Sequence, residues 1–197
     1  MKIILATYND HKVREISGII APIEVTSLSR LGVELNFDDV EDGETYAENA
    51  LKKVVAASRH VDGIIVADDS GLEVDALGGR PGIHSSRFGG PGISDAGRCE
   101  LLLEEMEDVP GDKRGARFVC CVAVRFPSGR ESVFNGELHG VISSEMIGEG
   151  GFGYDPVVYL PDLGLSVAEL SPDEKNRISH RAVAFAAMRE ALLNEES

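Results

Sequence analysis

The chain has 197 residues, a length at which one domain or two small ones bury roughly 70% of the surface that the unfolded chain exposes. Its composition, 43% hydrophobic and 27% charged, excludes collagen-like and disordered chains. The 19 Lys and Arg residues against 34 Asp and Glu residues give a net charge of -15, and such a field repels phosphate backbones and acidic membrane surfaces. We therefore expect no nucleic-acid partner.

The cysteines and the apolar runs bear on the compartment. Cys99, Cys120 and Cys121 form neither an even set nor a CxxC pair, which argues against structural zinc and favours buried thiols in a reducing compartment. The apolar run Ile3–Ala6 is too short for a signal-peptide core, and Phe118–Val124 is far shorter than the ~20 residues of a membrane span. We expect a soluble, cytoplasmic protein with no membrane partner.

Hydrophobic periodicity predicts alternating strands and helices in the first third of the chain. The predicted elements are a strand at Lys2–Ala6, a helix at Asp10–Ile20, a second apolar stretch at Ile23–Leu28, a helix at Thr45–His60 and a strand at Ile64–Ala67. The last is a continuous apolar run, typical of a strand covered on both faces of a sheet. We expect that strand to end at Asp68-Asp69-Ser70-Gly71.

The rest of the chain predicts an irregular segment, a hairpin and a last helix. Residues 78 to 97 are rich in glycine and too long for a simple connector, so we expect them to close over something. The predicted elements are a helix at Asp95–Glu107, strands at Arg117–Phe126 and Glu131–Ile142 joined by Pro127-Ser128-Gly129, a capping box at Ser171-Pro172-Asp173-Glu174, and a last helix with Ile178, Phe185, Met188 and Leu192 on its buried face. We predict one α/β domain spanning residues 1–197.

The first candidate site is the loop between the first strand and the first helix. Open α/β sheets bind ligands at this position, and the start of a helix presents free backbone N–H groups to an anion. Thr7, Asn9 and Lys12 add a hydroxyl, an amide and an ammonium group. An ordinary strand-to-helix connection, with Asn9 or Asp10 as N-cap, is the alternative.

Adjacent carboxylates at the end of the apolar strand form the second candidate. Two like charges in this position need a cation or a proton. Successive side chains of a strand point to opposite faces, so we expect one of the pair, Asp69, to point into the site. Asp69-Ser70-Gly71 is also an ordinary turn sequence.

A third candidate combines the acidic segment 38–44 with the helix that follows it. Mg²⁺ prefers oxygen ligands and needs only one or two carboxylates besides water and substrate phosphates, so Glu41 with Asp69 would suffice. Lys53 lies on the helix between these two acids in sequence. The residue types leave open whether Lys53 contacts phosphate or pairs with an acid, and whether the acidic segment is merely a solvated loop.

Two further stretches carry candidate ligand contacts. Gly151-Phe152-Gly153-Tyr154-Asp155-Pro156 places aromatic rings between glycines, as a site that stacks on a nucleobase would; a core-facing Phe152 is the alternative. A cationic cluster in this acidic chain is formed by Lys175, Arg177, His180 and Arg181. It is typical of a site for a small anion; the alternative is that these are ordinary surface charges. Because Lys175 and Arg181 would project about 120° apart on one unbroken helix, a shared ligand requires a break near Ile178 with Ser179 as a new N-cap.

Six motifs occur in order along nearly the whole chain. They are Leu5-Ala6-Thr7-x-Asn9-x-x-Lys12, Glu48-Asn49-Ala50, Ala67-Asp68-Asp69-Ser70-Gly71-Leu72, Leu77-Gly78-Gly79-x-Pro81-Gly82-Ile83, Gly150-Gly151-Phe152-Gly153-Tyr154-Asp155-Pro156 and Ile178-Ser179-His180-Arg181. This ordered set resembles the inosine triphosphate pyrophosphatase family. The resemblance implies an α/β fold with an elongated, mixed, twisted sheet flanked by helices, two lobes around a central cleft, and a homodimer.

The resemblance also implies an activity and a set of site residues. Similar proteins use Mg²⁺ to hydrolyse inosine, deoxyinosine or xanthosine triphosphate to the monophosphate and pyrophosphate. The implied triphosphate contacts are Thr7, Asn9, Lys12, Lys53 and Lys175. The implied metal ligands are Glu41 and Asp69, with Asp69 also the catalytic residue that activates water. The implied base contacts are Phe152, which would stack on the base, and Asp155, His180 and Arg181, which would read its edge. Ser70, Gly153 and Tyr154 are further implied substrate-binding residues.

The chain departs from the family pattern at two places. Tyr8 stands where the family usually has a small residue, which predicts an altered first loop or an extra stacking group. Residues 88–100 match only loosely. Two alternative functions remain open. The chain could be a pyrophosphatase for modified pyrimidine or methylated nucleotides, or a nucleotide-binding sensor without catalytic activity.

Overall fold

A computed structural model of the chain describes residues 1–195, apart from the side chains of Asp38 and Glu195. The acidic side chain predicted at Asp38 and the last two residues of the predicted domain therefore lie outside the described part. The helices are α1 (Asp10–Ile19), α2 (Tyr46–Ala57), α3 (Asp95–Glu105), α4 (Pro172–Ile178) and α5 (His180–Glu195). The strands are β1 (Lys2–Leu5), β2 (Glu24–Ser27), β3 (Ile64–Val74), β4 (Gly115–Arg125), β5 (Glu131–Ile142), β6 (Val158–Leu160) and β7 (Leu165–Ser166).

The strands form a seven-stranded mixed sheet in the order β2-β1-β3-β4-β5-β6-β7. β1 pairs in parallel with β2 and with β3, whereas β6 pairs antiparallel with β5 and with β7. Parallel strands need a crossover connection, and α1 and α2 supply it between β1 and β2 and between β2 and β3. The predicted α/β class with a mixed sheet flanked by helices is confirmed.

The chain divides into two compact units. Unit 1 comprises Met1–Ser70, Cys120–Gly136 and the chain from Ser179 onward; unit 2 comprises Gly71–Val119 and Glu137–Ile178. The prediction of a single domain over residues 1–197 stays a prediction.

Unit 1 buries both faces of its central strands. Ile3 and Val66 pack in one cluster with side chains of α1 and α5, whereas Ile4 and Ile65 pack in another with side chains of α2. The alternation follows from the strand period of two residues. It explains why Ile64–Ala67 is a continuous apolar run, and it assigns the next two residues to opposite faces.

Unit 2 has one apolar cluster of its own. Leu72 and Val74 of β3, Leu102 and Met106 of the α3 segment, and Val157 are fully buried there. Arg114 links two segments of this unit. Its guanidinium group donates hydrogen bonds to the carbonyl oxygens of Met106, Val109, Ile142 and Ser143.

Two sequence predictions are corrected by the backbone. β3 does not end at Asp68 but continues to Val74, because Leu72 and Val74 supply further apolar side chains to unit 2. The last helix is two helices, so Ile178 does not share a face with Phe185. Ile178 packs in the cluster of unit 2 and Phe185 in unit 1.

Local side chains cap two of the helices, and one of these caps was predicted. Ser171 and Glu174 exchange side-chain-to-backbone hydrogen bonds around Pro172, as in the predicted capping box. Thr45 caps α2 by accepting a hydrogen bond from the amide of Glu48. Among residues 1–195, no helix combines the length and apolar character needed to cross a membrane.

The buried thiols make a first prediction. Burial raises the pKa of Cys99 and Cys120 to about 12 and that of Cys121 to about 11. Because the thiolate is the reactive form, a disulfide-exchange reagent at pH 8 should react with the native protein about 10²-fold more slowly than with the denatured chain. Three thiols should then be titrated on denaturation. A cysteine that reacts equally fast in both states would contradict the burial described here.

Candidate functional site

The loop after β1 is both a helix cap and a group of polar side chains. Asn9 is the N-cap of α1, and its side chain accepts hydrogen bonds from the amides of His11 and Lys12. The hydroxyl oxygen of Thr7 accepts from the amide of Asn9. The alternative reading of Asn9 as an N-cap is therefore correct, while its contact with phosphate stays a prediction.

Asp68 lies on the face of the sheet that carries α1 and α5. Its Oδ2 atom is 2.8 Å from Nζ of Lys12, 3.4 Å from Nε of Arg181 and 2.9 Å from the hydroxyl oxygen of Ser70. Ser70 is two residues further along β3 and so shares the face of Asp68. Nη1 of Arg181 is also 3.2 Å from a carboxylate oxygen of Glu15. Three predicted ligand residues thus meet at one carboxylate.

Asp69 lies on the opposite face, towards α2. Nζ of Lys53 is 3.1 Å from Oδ1 of Asp69, 2.9 Å from Oε1 of Glu41 and 2.7 Å from the carbonyl oxygen of Asp68. The ammonium group of Lys53 therefore donates to two carboxylates and one carbonyl. The structure brings Glu41 and Asp69 together around Lys53. Of the two roles left open for Lys53, it shows the pairing with acids, whereas the metal-ligand roles of Glu41 and Asp69 stay predictions.

Asn49 is a residue of this group that the sequence analysis did not assign. Its Nδ2 donates to Oδ2 of Asp69 over 3.2 Å, and its Oδ1 accepts from the amide of Gly43 over 2.8 Å. Asn49 and Lys53 are four residues apart on α2 and both are buried. The signal was present in the sequence, because both polar residues adjoin the apolar stripe of Ala50 and Val54.

Charge pairing outweighs burial at both faces. Burial raises the pKa of Asp68, but Lys12, Arg181 and Lys53 lower it, and the net result lies well below the usual value. Burial lowers the pKa of Lys53, but the negative charges of Asp69, Asp68 and Glu41 raise it. The net result is a pKa above the ordinary value of a lysine. Asp68 and Lys53 are therefore ionised in the folded protein at neutral pH.

The donor set at Glu41 and Asp69 suits a hard divalent cation. Their carboxylate oxygens converge on one positive centre, which is the ammonium group of Lys53. Among the described residues, no three His, Cys, Asp or Glu side chains form a group that could hold a metal ion. Mg²⁺ needs only one or two carboxylates when waters and substrate phosphates complete its coordination, so two acids are sufficient.

Unit 2 contains the predicted aromatic turn. Oδ2 of Asp155 accepts from the amide of Phe152 over 2.8 Å and lies 2.6 Å from Nζ of Lys175. That ammonium group is 4.5 Å from the centroid of the Phe152 ring. Gly151 has a φ of 72°, and a Cβ there would overlap the carboxylate of Asp155. Asp155 therefore holds both the turn and the lysine.

The neighbours of Phe152 are held by other parts of unit 2. The amide of Gly153 donates to the carboxylate of Asp95, and the carbonyl oxygen of Gly153 accepts from the thiol of Cys99. Tyr154 is buried, and its hydroxyl group donates to the carbonyl oxygen of Ser85. The side chain of Tyr154 is thus part of the packed interior of unit 2.

The helix breaks between α4 and α5, at the position expected if Lys175 and Arg181 share a ligand. α4 ends at Ile178 and α5 begins at His180, and the hydroxyl oxygen of Ser179 accepts from the amide of Ala182 as an N-cap. His180 and Arg181 are buried in the first turn of α5. That turn packs closely on β5, because a Cβ at Gly136 would overlap the carbonyl oxygen of His180.

Tyr8, the departure from the family pattern, ties the first loop to the segment that follows β2. Its hydroxyl group donates to the carbonyl oxygen of Val33 over 3.0 Å and accepts from the amide of Leu35 over 2.6 Å. Its ring centroid is 5.7 Å from that of Phe37. Tyr8 therefore supports the residues that lead into the acidic segment.

A second prediction follows from Tyr8. Tyr8→Phe removes one hydrogen-bond partner of the Leu35 amide, a loss of about 1 kcal/mol, and should speed hydrogen exchange at that amide about fivefold to tenfold. The amide of Val33, which donates to Leu28, is the internal control and should not change. Equal exchange rates at Leu35 in both proteins would show that the hydroxyl group does not hold this segment.

The chain matches the Ham1 family over residues 3–191. The chain belongs to the Ham1 family. This membership confirms the resemblance predicted from the motifs. The chain is 48% identical, over 96% of its length and 93% of the relative, to a protein from Geobacillus kaustophilus named dITP/XTP pyrophosphatase. A relative of the same name from Thermus thermophilus is 44% identical, with 97% and 91% covered.

Solved structures agree with this membership of the Ham1 family. The Ham1 protein from Staphylococcus aureus has a TM-score of 0.87 at 37% identity, with all of both chains covered. A HAM1 protein from Coxiella burnetii also has a TM-score of 0.87, at 34% identity, with 98% of this chain and 99% of that chain covered. The fold described above is therefore the fold of the family.

Proposed function

We propose that this Ham1-family chain is an Mg²⁺-dependent pyrophosphatase that hydrolyses ITP, dITP and XTP to the nucleoside monophosphate and pyrophosphate. The observation that carries the proposal is the convergence of two carboxylates, Glu41 and Asp69, on one cationic centre in unit 1. A relative that is 48% identical bears the name dITP/XTP pyrophosphatase. In the cell, such an activity removes deaminated purines from the nucleotide pool.

Glu41 and Asp69 would hold the metal ion. When bound, Mg²⁺ supplies positive charge that neutralises the phosphates and lowers the pKa of water. Hydrolysis of a phosphoanhydride depends chiefly on such neutralisation and on the position of the attacking water. Asp69 is proposed to accept the proton of that water, since each carboxylate oxygen keeps a lone pair beyond its contact with Lys53 or Asn49.

Lysines are the main proposed contacts of the triphosphate. Lys12 and Lys53 of unit 1 and Lys175 of unit 2 each carry a buried or partly buried ammonium group beside an acid. The first loop and β3 would add hydrogen-bond donors from Thr7, Asn9 and Ser70. Because the chain carries a net charge of -15, these local cations provide the attraction that a polyanion needs.

The proposed base contacts explain a preference for 6-oxo purines. Phe152 would stack on the base, beside Gly153 and Tyr154, and Asp155, His180 and Arg181 would read its edge. A 6-oxo purine has an acceptor at O6 and a donor at N1, whereas adenine reverses both. A site that donates to O6 would leave buried groups unpaired with adenine, at ~1 to 3 kcal/mol each. Two mismatches give roughly 10²- to 10⁴-fold discrimination.

A substrate panel tests the proposal. Pyrophosphate release should be measured with Mg²⁺ for ITP, dITP, XTP, the four common ribonucleoside triphosphates, and modified pyrimidine and methylated nucleotides. We expect kcat/KM for the deaminated purines to exceed that for ATP by about 10² or more. A preference for a modified pyrimidine, or binding of XTP without turnover at saturating Mg²⁺, would contradict the proposal.

We also propose that the chain forms a homodimer, as the sequence resemblance implies, and that nucleic acids and membranes are not its partners. Sedimentation analysis of the purified protein distinguishes a dimer from the 21.1 kDa monomer.

A further inference from the structure

Lys53 makes as many hydrogen bonds as its ammonium group allows. A lysine has three N–H donors and no acceptor. Nζ of Lys53 lies within 3.1 Å of three oxygen atoms, which belong to Glu41, Asp69 and the carbonyl group of Asp68. All three donors are therefore used inside the protein, and none remains for a phosphate oxygen in this arrangement.

The same two carboxylates are the proposed ligands of the metal ion. Mg²⁺ contacts its oxygen ligands at ~2.0 to 2.1 Å. The ammonium group already lies between the two carboxylates, with Nζ 2.9 Å from Oε1 of Glu41 and 3.1 Å from Oδ1 of Asp69. A divalent cation and an ammonium group on the same oxygens would repel each other strongly in a buried site. The two cations therefore exclude each other.

We propose that Lys53 is an exchangeable counter-ion, whose ammonium group neutralises Glu41 and Asp69 until a divalent metal ion replaces it. The side chains of Glu41 and Asp69 are only 19% and 12% exposed, so two carboxylates this close together need a cation beside them. The released ammonium group then has donors free for the triphosphate. This inference rests on the proposed function. Lys53 would pair first with the carboxylates of Glu41 and Asp69 and then, once metal is bound, with the triphosphate.

The proposal predicts how metal binding responds to the loss of Lys53. In Lys53→Met, the two carboxylates lack their counter-ion, so metal has no ammonium group to displace. We expect Mg²⁺ alone, without nucleotide, to bind this variant about tenfold more tightly than it binds the wild-type protein, as measured by calorimetry. The variant should also melt at a lower temperature without metal and gain more thermal stability from it.

The chain offers a matched control in the preceding residue. Lys52 lies on the same helix and pairs over 2.6 Å with Asp42, but both side chains are exposed. Lys52→Met makes the same change in charge and should bind Mg²⁺ as the wild type does. If Lys53→Met binds Mg²⁺ no more tightly than Lys52→Met, the exchange proposal is wrong.

A second measurement uses the unaltered protein and does not depend on the folding of a variant. With ¹⁵N-labelled lysine, buried ammonium groups of Lys53 and Lys175 should give resolved ¹H–¹⁵N signals, the former identified by its absence from Lys53→Arg. Adding Mg²⁺ alone should shift or remove the Lys53 signal and leave the Lys175 signal, which reports the pair with Asp155. An unchanged Lys53 signal at Mg²⁺ concentrations that support hydrolysis would overturn the exchange.

These outcomes are separate from the test of the proposed function. A wild-type protein that hydrolyses XTP with Mg²⁺ while Lys53 keeps its signal contradicts the exchange alone. A wild-type protein that hydrolyses none of the deaminated purines contradicts the proposed function, and with it the role assigned to the released lysine.

Discussion

Asp69→Asn is expected to lower kcat for XTP by about 10³-fold, since the change removes both a proposed metal ligand and the group proposed to accept the proton of water. Asparagine keeps the size of the side chain and one oxygen acceptor. The contacts proposed for the triphosphate with Lys12 and for the base with Phe152 do not involve Asp69. Nucleotide binding, measured by calorimetry with Ca²⁺ in place of Mg²⁺, should therefore remain largely intact.

The exposed acid Asp42 provides the control for this change. Asp42→Asn alters a neighbouring carboxylate that pairs with Lys52 at the surface, and it should leave kcat unchanged. Retained hydrolysis of XTP by Asp69→Asn, at a rate near that of Asp42→Asn, would defeat the role assigned to Asp69.

Asp68→Asn should cause the largest loss of stability among the acids of unit 1. The substitution leaves the charges of Lys12 and Arg181 beside a neutral amide, and breaking a buried ion pair typically costs about 3 to 5 kcal/mol. Arg181 keeps its contact with Glu15, so we expect about 3 kcal/mol. Urea unfolding at pH 7 measures this difference in the free energy of unfolding.

The pH dependence of that difference follows from the lowered pKa of Asp68. A carboxylate whose pKa is lower in the folded than in the unfolded state stabilises the fold above its unfolded pKa, about 3.9, and loses this contribution as the pH falls towards its folded pKa. The amide that replaces the carboxylate in the variant does not titrate. The difference in the free energy of unfolding between the wild type and Asp68→Asn should therefore stay constant from pH 7 to about 5 and decrease below about 4.

Two results would contradict the role of Asp68 in these ion pairs. One is a difference in the free energy of unfolding that stays constant down to pH 3. The other is a loss of unfolding free energy in Asp68→Asn no larger than that in the exposed variant Asp42→Asn.

Local signals in the sequence were enough to predict the elements that surround the site. The periodicity of Ala50, Val54 and Ala57 predicted α2, and Ser171 with Glu174 predicted the start of α4. The need for one ligand to reach both Lys175 and Arg181 predicted the break at Ser179. In the first two cases the deciding interactions join residues that are close in the chain, so a short window of sequence contains them. The break was instead expected from the hypothesis of a shared ligand.

Long-range pairings were not accessible in the same way. Asp68 contacts Arg181, 113 residues further along the chain, and no local pattern indicates this partner. The continuation of β3 beyond Asp69 was missed because Asp-Ser-Gly is a common turn sequence, and the apolar cluster that holds Leu72 and Val74 is built from other segments. The position of Asn49 beside the apolar stripe of α2 was visible in the sequence, but its partners Gly43 and Asp69, which lie outside α2, were not.

The central claim is that this chain splits the triphosphate of a deaminated purine nucleotide between its α and β phosphorus atoms with the help of a divalent cation. Phosphorus NMR of XTP incubated with the purified protein and Mg²⁺ tests it most directly. We expect xanthosine monophosphate and pyrophosphate in equal amounts, and no products when the metal is chelated. Orthophosphate with xanthosine diphosphate, or unchanged hydrolysis without a divalent cation, would contradict it.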